Sequence, residues 1–178
     1  RRAEPVARHL LLTGVPGVGK TTVIRRVVEI LGDRPMRGFL TDEIRRGGRR
    51  TGFNITTIDG TSETLASVDL RSPHRVGRYG VDVAAVDRVV ELTLHAAGPD
   101  ELVIIDEIGK MECFSEQFVV AVRRLLGSPH TLLATVTLHG GGLIAKVKRH
   151  PEVELWQITP ANRNDIPARV VHWLRTDR

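Results

Sequence analysis

A chain of 178 residues, 41% hydrophobic and 26% charged, has the make-up of one folded domain, which excludes a disordered tail and a small disulfide-built scaffold. Its 26 Lys and Arg against 21 Asp and Glu leave a formal charge of +5, mildly suited to polyanions, nucleotides among them. The single cysteine, Cys113, excludes an internal disulfide and a cysteine metal cluster, and the apolar runs are of strand length, far short of a membrane span. Arg1 and Arg2 lead into too short an apolar run for a signal peptide, so the expectation is one cytoplasmic domain over 1–178 with no membrane partner.

The apolar run 9–13 predicts a strand covered on both faces. Glycine-rich residues 14–19 follow, and then helical spacing: Val23, Ile24, Val27, Val28 and Leu31 share one side, with Arg25, Arg26 and Glu29 opposite. Gly32 and Pro35 mark the helix end. Residues 36–44 read as a strand broken by Gly38, 45–50 (RRGGRR) as a basic turn, 51–59 as a second strand ended by Gly60, and 65–70 as a third. These short strands predict an antiparallel extension of the sheet. Residues 81–98 have helical spacing, 101–107 form a core strand ending in two carboxylates, and Ser115 N-caps a helix through Leu126. Residues 131–137 and 153–158 are further strands, 143–149 a short helix, and 164–174 a last helix with Pro167 near its start. The whole is an α/β domain with a mostly parallel central sheet, some antiparallel strands and helices on both faces.

Gly14, Gly19, Lys20 and Thr21 fit the Walker A spacing G-x4-G-K-T, placed between a strand and a helix. A loop of Gly14, Val15, Pro16, Gly17, Val18 and Gly19 wraps a β-phosphate with backbone N–H groups, and the next helix adds its positive end. Lys20 brings a mobile charge to the β/γ oxygens. The Thr21 hydroxyl suits Mg2+, and Thr22 reaches the α-phosphate. A glycine turn that merely caps a helix is the plainer alternative, and the strand-before, helix-after context weighs against it.

In LVIIDEIGK an apolar strand delivers Asp106 and Glu107 at its carboxyl end, where ligands of open α/β sheets gather. Asp106 is the expected Mg2+ holder, through a water. Glu107 aligns or deprotonates the attacking water. An acidic strand end facing solvent is the bland reading, and the glycine loop tips the balance against it.

The segments GVPGVGKTT, GFLTDEI, RRTGFNI, VGRYGVD, IIDEIGKMECFS and ITPANRNDIP together resemble the small P-loop nucleoside-triphosphatase family of thermophilic prokaryotes and animals, the cancer-related nucleoside-triphosphatase type. The resemblance spans roughly positions 9–174, and its most specific piece is DEIGKME at 106–112. It implies Mg2+-dependent hydrolysis of ATP, GTP and other nucleoside triphosphates to diphosphate and phosphate, with broad base tolerance and slow turnover. It also places residues 159–164 near the base, where Asn162 bonds a base edge and Arg163 stacks over it.

Thr135 and Thr137, near the end of 131–137, are candidates to sense the γ-phosphate or hold the water, against the bland reading of ordinary strand threonines. Arg78 is a candidate cis arginine for developing charge. Lys110 is a candidate of the same standing, against a cap or a pair with Glu112, and Glu43 is a candidate for the second rim of the cleft, against an ordinary charged strand end. The 45–50 arginines read as a solvated hairpin turn before an RNA platform. His74, His95, His130, His139 and His150 have no transition-metal spacing. Two other functions stay open: a nucleoside or nucleotide kinase, and a nucleotide-switched RNA-binding module. A monomer is expected.

Overall fold

A computed structural model of the chain describes residues 6–176, so the reading of Arg1 and Arg2 lies outside the described residues. In chain order the elements are β1 (His9–Thr13), α1 (Lys20–Leu31), β2 (Met36–Arg46), β3 (Arg49–Thr57), β4 (Ser62–Ser67), β5 (Arg75–Val76), β6 (Tyr79–Val81) and α2 (Val83–Leu92). Then come β7 (Leu102–Ile108), α3 (Glu116–Leu126), β8 (Leu132–Val136), α4 (Gly142–Lys148), β9 (Val153–Gln157) and α5 (Ile166–Arg175). One sheet joins the strands in the order β5-β6-β4-β3-β2-β7-β8-β1-β9. From β2 to β9 every pairing is parallel. From β2 out to β5 every pairing is antiparallel.

The alternation of side chains along each strand divides the core. Leu10 and Leu12 face α1 and α5, packing with Ile24, Val27, Val170 and Leu174. Leu11 faces the other way, toward Val86 and Val89 of α2 and Phe118 and Val122 of α3. Residues 9–13 are thus apolar throughout because both faces are covered, as a central parallel strand requires. Ser115 caps α3 as its sequence position predicts, accepting from the Phe118 N–H at 3.1 Å. Such a cap contributes about 1 kcal/mol.

Three local expectations change, and one hairpin is new. Strand β2 runs unbroken through Gly38, whose φ is 143°. A Cβ there would lie 1.8 Å from the Ile104 carbonyl oxygen, so glycine permits the close approach of β2 to β7. Strand β4 is set three residues earlier than the apolar pattern suggests. The VGRYG stretch forms a small hairpin, β5 and β6, too short for periodicity to reveal. Helix α2 stops at Leu92, although Leu94 beyond it remains buried. No helix among the described residues is long and apolar enough to cross a membrane.

Candidate functional site

Parallel strands run in one direction, so β1, β2, β7 and β8 bring their carboxyl ends to the same edge of the sheet. There the chain leaves β1 through residues 14–19 and enters α1 at Lys20. Gly19 precedes the helix at φ 109°, a conformation that disfavours any residue with a Cβ. The loop and α1 form one wall of a cleft of about 480 Å3. Its lining includes Gly17, Lys20, Thr21, Thr22, Asp106 and Glu107. Of the other expected loop residues, Val18 is buried in the core and Val15 points outward, half-exposed.

Residues distant in the chain meet at Asp106, which is 1% exposed. Thr21 donates its hydroxyl to Asp106 Oδ2 at 2.8 Å, and Thr135 donates to Oδ1 at 2.7 Å. The Thr41 backbone N–H approaches Oδ2 at 3.4 Å. Burial pushes the Asp106 carboxyl above its ordinary range, while these three donors oppose the shift. Lys20 Nζ donates to the Gly14 carbonyl at 2.9 Å and lies 3.7 Å from Glu107 Oε2. Burial also raises Glu107; the Lys20 charge pulls it down, and Asp106 pushes it further up. A lysine, the Thr21 hydroxyl and two carboxylates of unequal surroundings thus converge on one cleft.

Thr135 does not face this cleft. It is fully buried on β8 with its hydroxyl bonded to Asp106. Thr137, just past β8, does line the cleft. Arg78 is also displaced from its expected place. Its guanidinium donates to the Arg50 carbonyl at 2.5 Å and to the Tyr79 hydroxyl at 3.1 Å, outside the cleft lining. The arginine that lines the cleft on this side is Arg50. It stacks over Phe53 and Tyr79, with its Cζ 5.3 and 5.7 Å from the ring centres. It also donates to the Tyr79 hydroxyl at 3.0 Å and pairs with Glu43 at 3.3 Å.

Glu43 lines the same wall. Partial burial pushes its carboxyl up, but hydrogen bonds from Arg45 and Arg50 outweigh this and hold it below the usual range. The 45–50 turn therefore divides. Arg45 pairs with Glu43 without itself lining the cleft, Arg46 pairs with Asp69, and Arg50 lines the cleft. Nothing in RRGGRR distinguishes Arg50 from its neighbours. Its place is set by strand register, which folds β3 over the cleft beside β2. Thr41 and Phe53, from the GFLTDEI and RRTGFNI segments, and Arg25 of α1 line the cleft as well, with no sequence signal of their own.

On the far side of the loop, Asn162 organises a turn. Its Oδ1 accepts from the Thr159 N–H at 2.8 Å and its amide donates to the Gln157 carbonyl at 2.9 Å. These bonds stand where a base-edge contact was expected. Arg163 is exposed, lies against Gly19 and donates to the Val18 carbonyl at 3.3 Å. Lys110 sits exposed at the rim and forms no salt bridge to Glu112 among the described residues. Lys148 donates to the Leu138 carbonyl at 2.6 Å, and burial and the charge of Lys20 both lower its pKa.

A family model described as NTPase matches residues 9–171. The human cancer-related nucleoside-triphosphatase is 39% identical, over 97% of this chain and 100% of its own. Nucleoside-triphosphatase THEP1 of Thermotoga maritima is 36% identical, over 95% of this chain and 97% of its own. The crystal structure of THEP1 from the hyperthermophile Aquifex aeolicus superposes with a TM-score of 0.87 at 36% identity, covering 94% of this chain and 99% of that one. The solution structure of a human cancer-related nucleoside triphosphatase gives 0.82 at 39% identity, covering 97% and 100%.

Proposed function

The chain belongs to this NTPase family, and from that premise we propose that it hydrolyses nucleoside 5′-triphosphates to diphosphate and phosphate with Mg2+, accepts several bases and turns over slowly. The observation that carries this reading is the meeting of Lys20, Thr21, Asp106 and Glu107 in one cleft, with Thr21 held to Asp106 at 2.8 Å.

The donor set fits Mg2+. No group of three His, Cys, Asp or Glu gathers as a metal cage among the described residues. Mg2+ bound through one or two protein oxygens, phosphates and water does not need one. Thr21 would hold the ion directly and Asp106 through a water, and the ion would neutralise phosphate charge. The loop N–H groups and the α1 terminus hold the β-phosphate. Lys20 bridges toward the γ oxygens. Glu107 aligns a water and takes its proton, and its burial makes it a stronger base than an exposed glutamate. Thr135 keeps Asp106 oriented, and Arg50 brings positive charge to the opposite wall. Arg163, beside Gly19, is the stacking surface for the base, tolerant because every base has a π-face. A single cytoplasmic domain acting as a monomer completes the reading.

Phosphate release by the pure protein, measured with ATP, GTP, CTP and UTP with and without Mg2+, tests it. Release that requires Mg2+ and differs among the bases by less than about tenfold is expected. No release from any of them would overturn it.

A further inference from the structure

Behind Glu107 the phosphate cleft opens into a second one of about 360 Å3. The two share Pro16, Thr41, Phe53, Glu107 and Thr137, so they form one continuous space with Glu107 at the junction. Hydrolysis requires room there for one water, whose share of liquid volume is about 30 Å3. The second cleft is roughly ten times that, which is within the range of small-molecule sites.

Its walls are chemically selective. Leu65, Val76, Met111 and the ring of Phe53 make an apolar surface. Phe53 is packed against Tyr79, with ring centres 5.3 Å apart, and carries Arg50 of the phosphate cleft over its ring, so the ring is fixed where the two clefts meet. The polar groups gather near Glu107. A Cβ on Gly109 would lie 2.8 Å from Glu107 Oε1 and 3.0 Å from Glu112 Oε2, so the two carboxyl groups come together beside that glycine. Glu112 is 4% exposed, and no cation is salt-bridged to it among the described residues. Burial, and then the nearby Glu107, hold its carboxyl well above the ordinary range. Lys110 and His139 line the cleft as well, so its polar groups are of both signs and its apolar walls favour an uncharged ring. An apolar box with a flat aromatic wall and convergent oxygens suits a ring that carries hydroxyls.

We propose that the cleft between Glu107, Glu112 and Phe53 binds a neutral nucleoside as phosphoryl acceptor, so that the chain transfers a γ-phosphoryl group to a nucleoside hydroxyl as well as to water. The base lies on Phe53 and a sugar hydroxyl is presented at Glu107. The hydroxyl oxygen forms a new bond to the γ-phosphorus, and the bond from that phosphorus to the β–γ bridging oxygen breaks. The diphosphate leaves with that electron pair, and the hydroxyl proton goes to Glu107. The proposal rests on the reading of Glu107 as the base of hydrolysis and adds a second nucleophile to the same residue.

The test uses ATP labelled in its γ-phosphate, with Mg2+ and the intact protein, in three arms: no acceptor, a panel of ribo- and deoxyribonucleosides, and the matching nucleoside monophosphates. Labelled nucleoside monophosphate in the second arm is the expected result. Val76 and Met111 line the second cleft and not the phosphate cleft. Val76→Phe, or Met111→Trp where the first variant folds poorly, is expected to reduce transfer at least tenfold. Phosphate release without acceptor should stay within twofold. Label found only in inorganic phosphate, with no saturable nucleoside binding by calorimetry, would overturn the acceptor site while leaving hydrolysis intact. Label on the monophosphates alone would overturn the neutral guest. Transfer equally strong in both filled-cleft variants would overturn the location. Transfer without any release in the first arm would support the acceptor site and overturn both transfer to water and the hydrolysis reading.

Discussion

The two walls of the phosphate cleft are built on different principles. On the parallel side, Lys20, Thr21, Asp106 and Glu107 stand at the ends of β1, α1 and β7, whose flanks are buried in the sheet core. On the antiparallel side, Glu43, Arg50 and Phe53 stand on β2 and β3 of a hairpin that projects beyond the core and ends in an exposed turn. Groups on the first wall are positioned by covered backbone and by short hydrogen bonds to Asp106. Groups on the second are positioned by side-chain pairs at the surface, where an ion pair contributes little. The contrast assigns chemistry to the rigid wall and tuning to the hairpin. Substitutions should therefore have unequal effects on the two sides.

The largest effect is expected at Glu107. Glu107→Gln keeps size and removes basicity, so kcat should fall by about 10²–10⁴-fold, with nucleotide affinity, measured directly, preserved. Single-turnover phosphate release within a few-fold of the parent would show that this partly buried carboxylate is not the base. Lys20→Ala comes next. Loss of a charge-stabilising donor typically lowers rate by about 10²–10³-fold, and here nucleotide titration should show weakened binding as well. A near-normal affinity would detach Lys20 from the triphosphate.

Thr135→Val separates holding from touching. The side chain is buried and similar in shape, and it loses only the bond to Asp106. A hydrogen bond to a charged group is worth about 1.5–3 kcal/mol, so the Mg2+ concentration for half-maximal activity should rise by roughly tenfold or more. An unchanged Mg2+ requirement with a lowered kcat would return Thr135 to the reacting phosphate. On the hairpin wall, Arg50→Ser should lower kcat/KM by several-fold to about tenfold, the scale of one partly exposed charge. The triple replacement of Arg45, Arg46 and Arg49 by Ser should leave it within about twofold, as expected of solvated surface. Equal losses in both variants would erase the distinction drawn within the turn.

The smallest effect concerns what holds the parallel wall together. His9 is fully buried at the start of β1, where its Nδ1 accepts from the Leu132 N–H at 3.2 Å and its Nε2 faces the Leu126 carbonyl at 2.9 Å. This geometry requires a neutral ring that donates through Nε2. Burial lowers its pKa; the Leu126 carbonyl and Glu152 oppose the shift, and His150 and Arg8 assist it. Below the ordinary value of 6.5 the unfolded chain takes up a proton that the folded chain resists. The His9 contribution is therefore full above that pH and is lost as the pH falls through it toward the folded value. Denaturant titrations between neutral and mildly acid pH should show a steeper stability loss in the parent than in His9→Gln. Parallel curves would remove His9 from the pH response.

The order of strand, glycine loop, helix and acidic strand end was legible in the chain. Each is a local pattern: apolar residues covered on both faces, glycines before a 3.6-residue period, carboxylates where an apolar run stops. The antiparallel extension and the Ser115 cap were legible for the same reason. Sequence by itself thus determined the α/β class, the parallel core and the convergence of Lys20 with Asp106 and Glu107, because β1 and β7 are continuous apolar runs whose carboxyl ends must share an edge. Tertiary structure alone decided that Arg50 and not Arg78 enters the cleft, that Thr135 turns to Asp106, that Asn162 closes a turn, and that a second cleft lies behind Glu107. These depend on register and on hydrogen-bond competition between groups far apart in the chain, and neither leaves a periodic trace. A one-residue shift of β3 against β2 would turn Arg50 to the opposite face without changing a letter of the sequence.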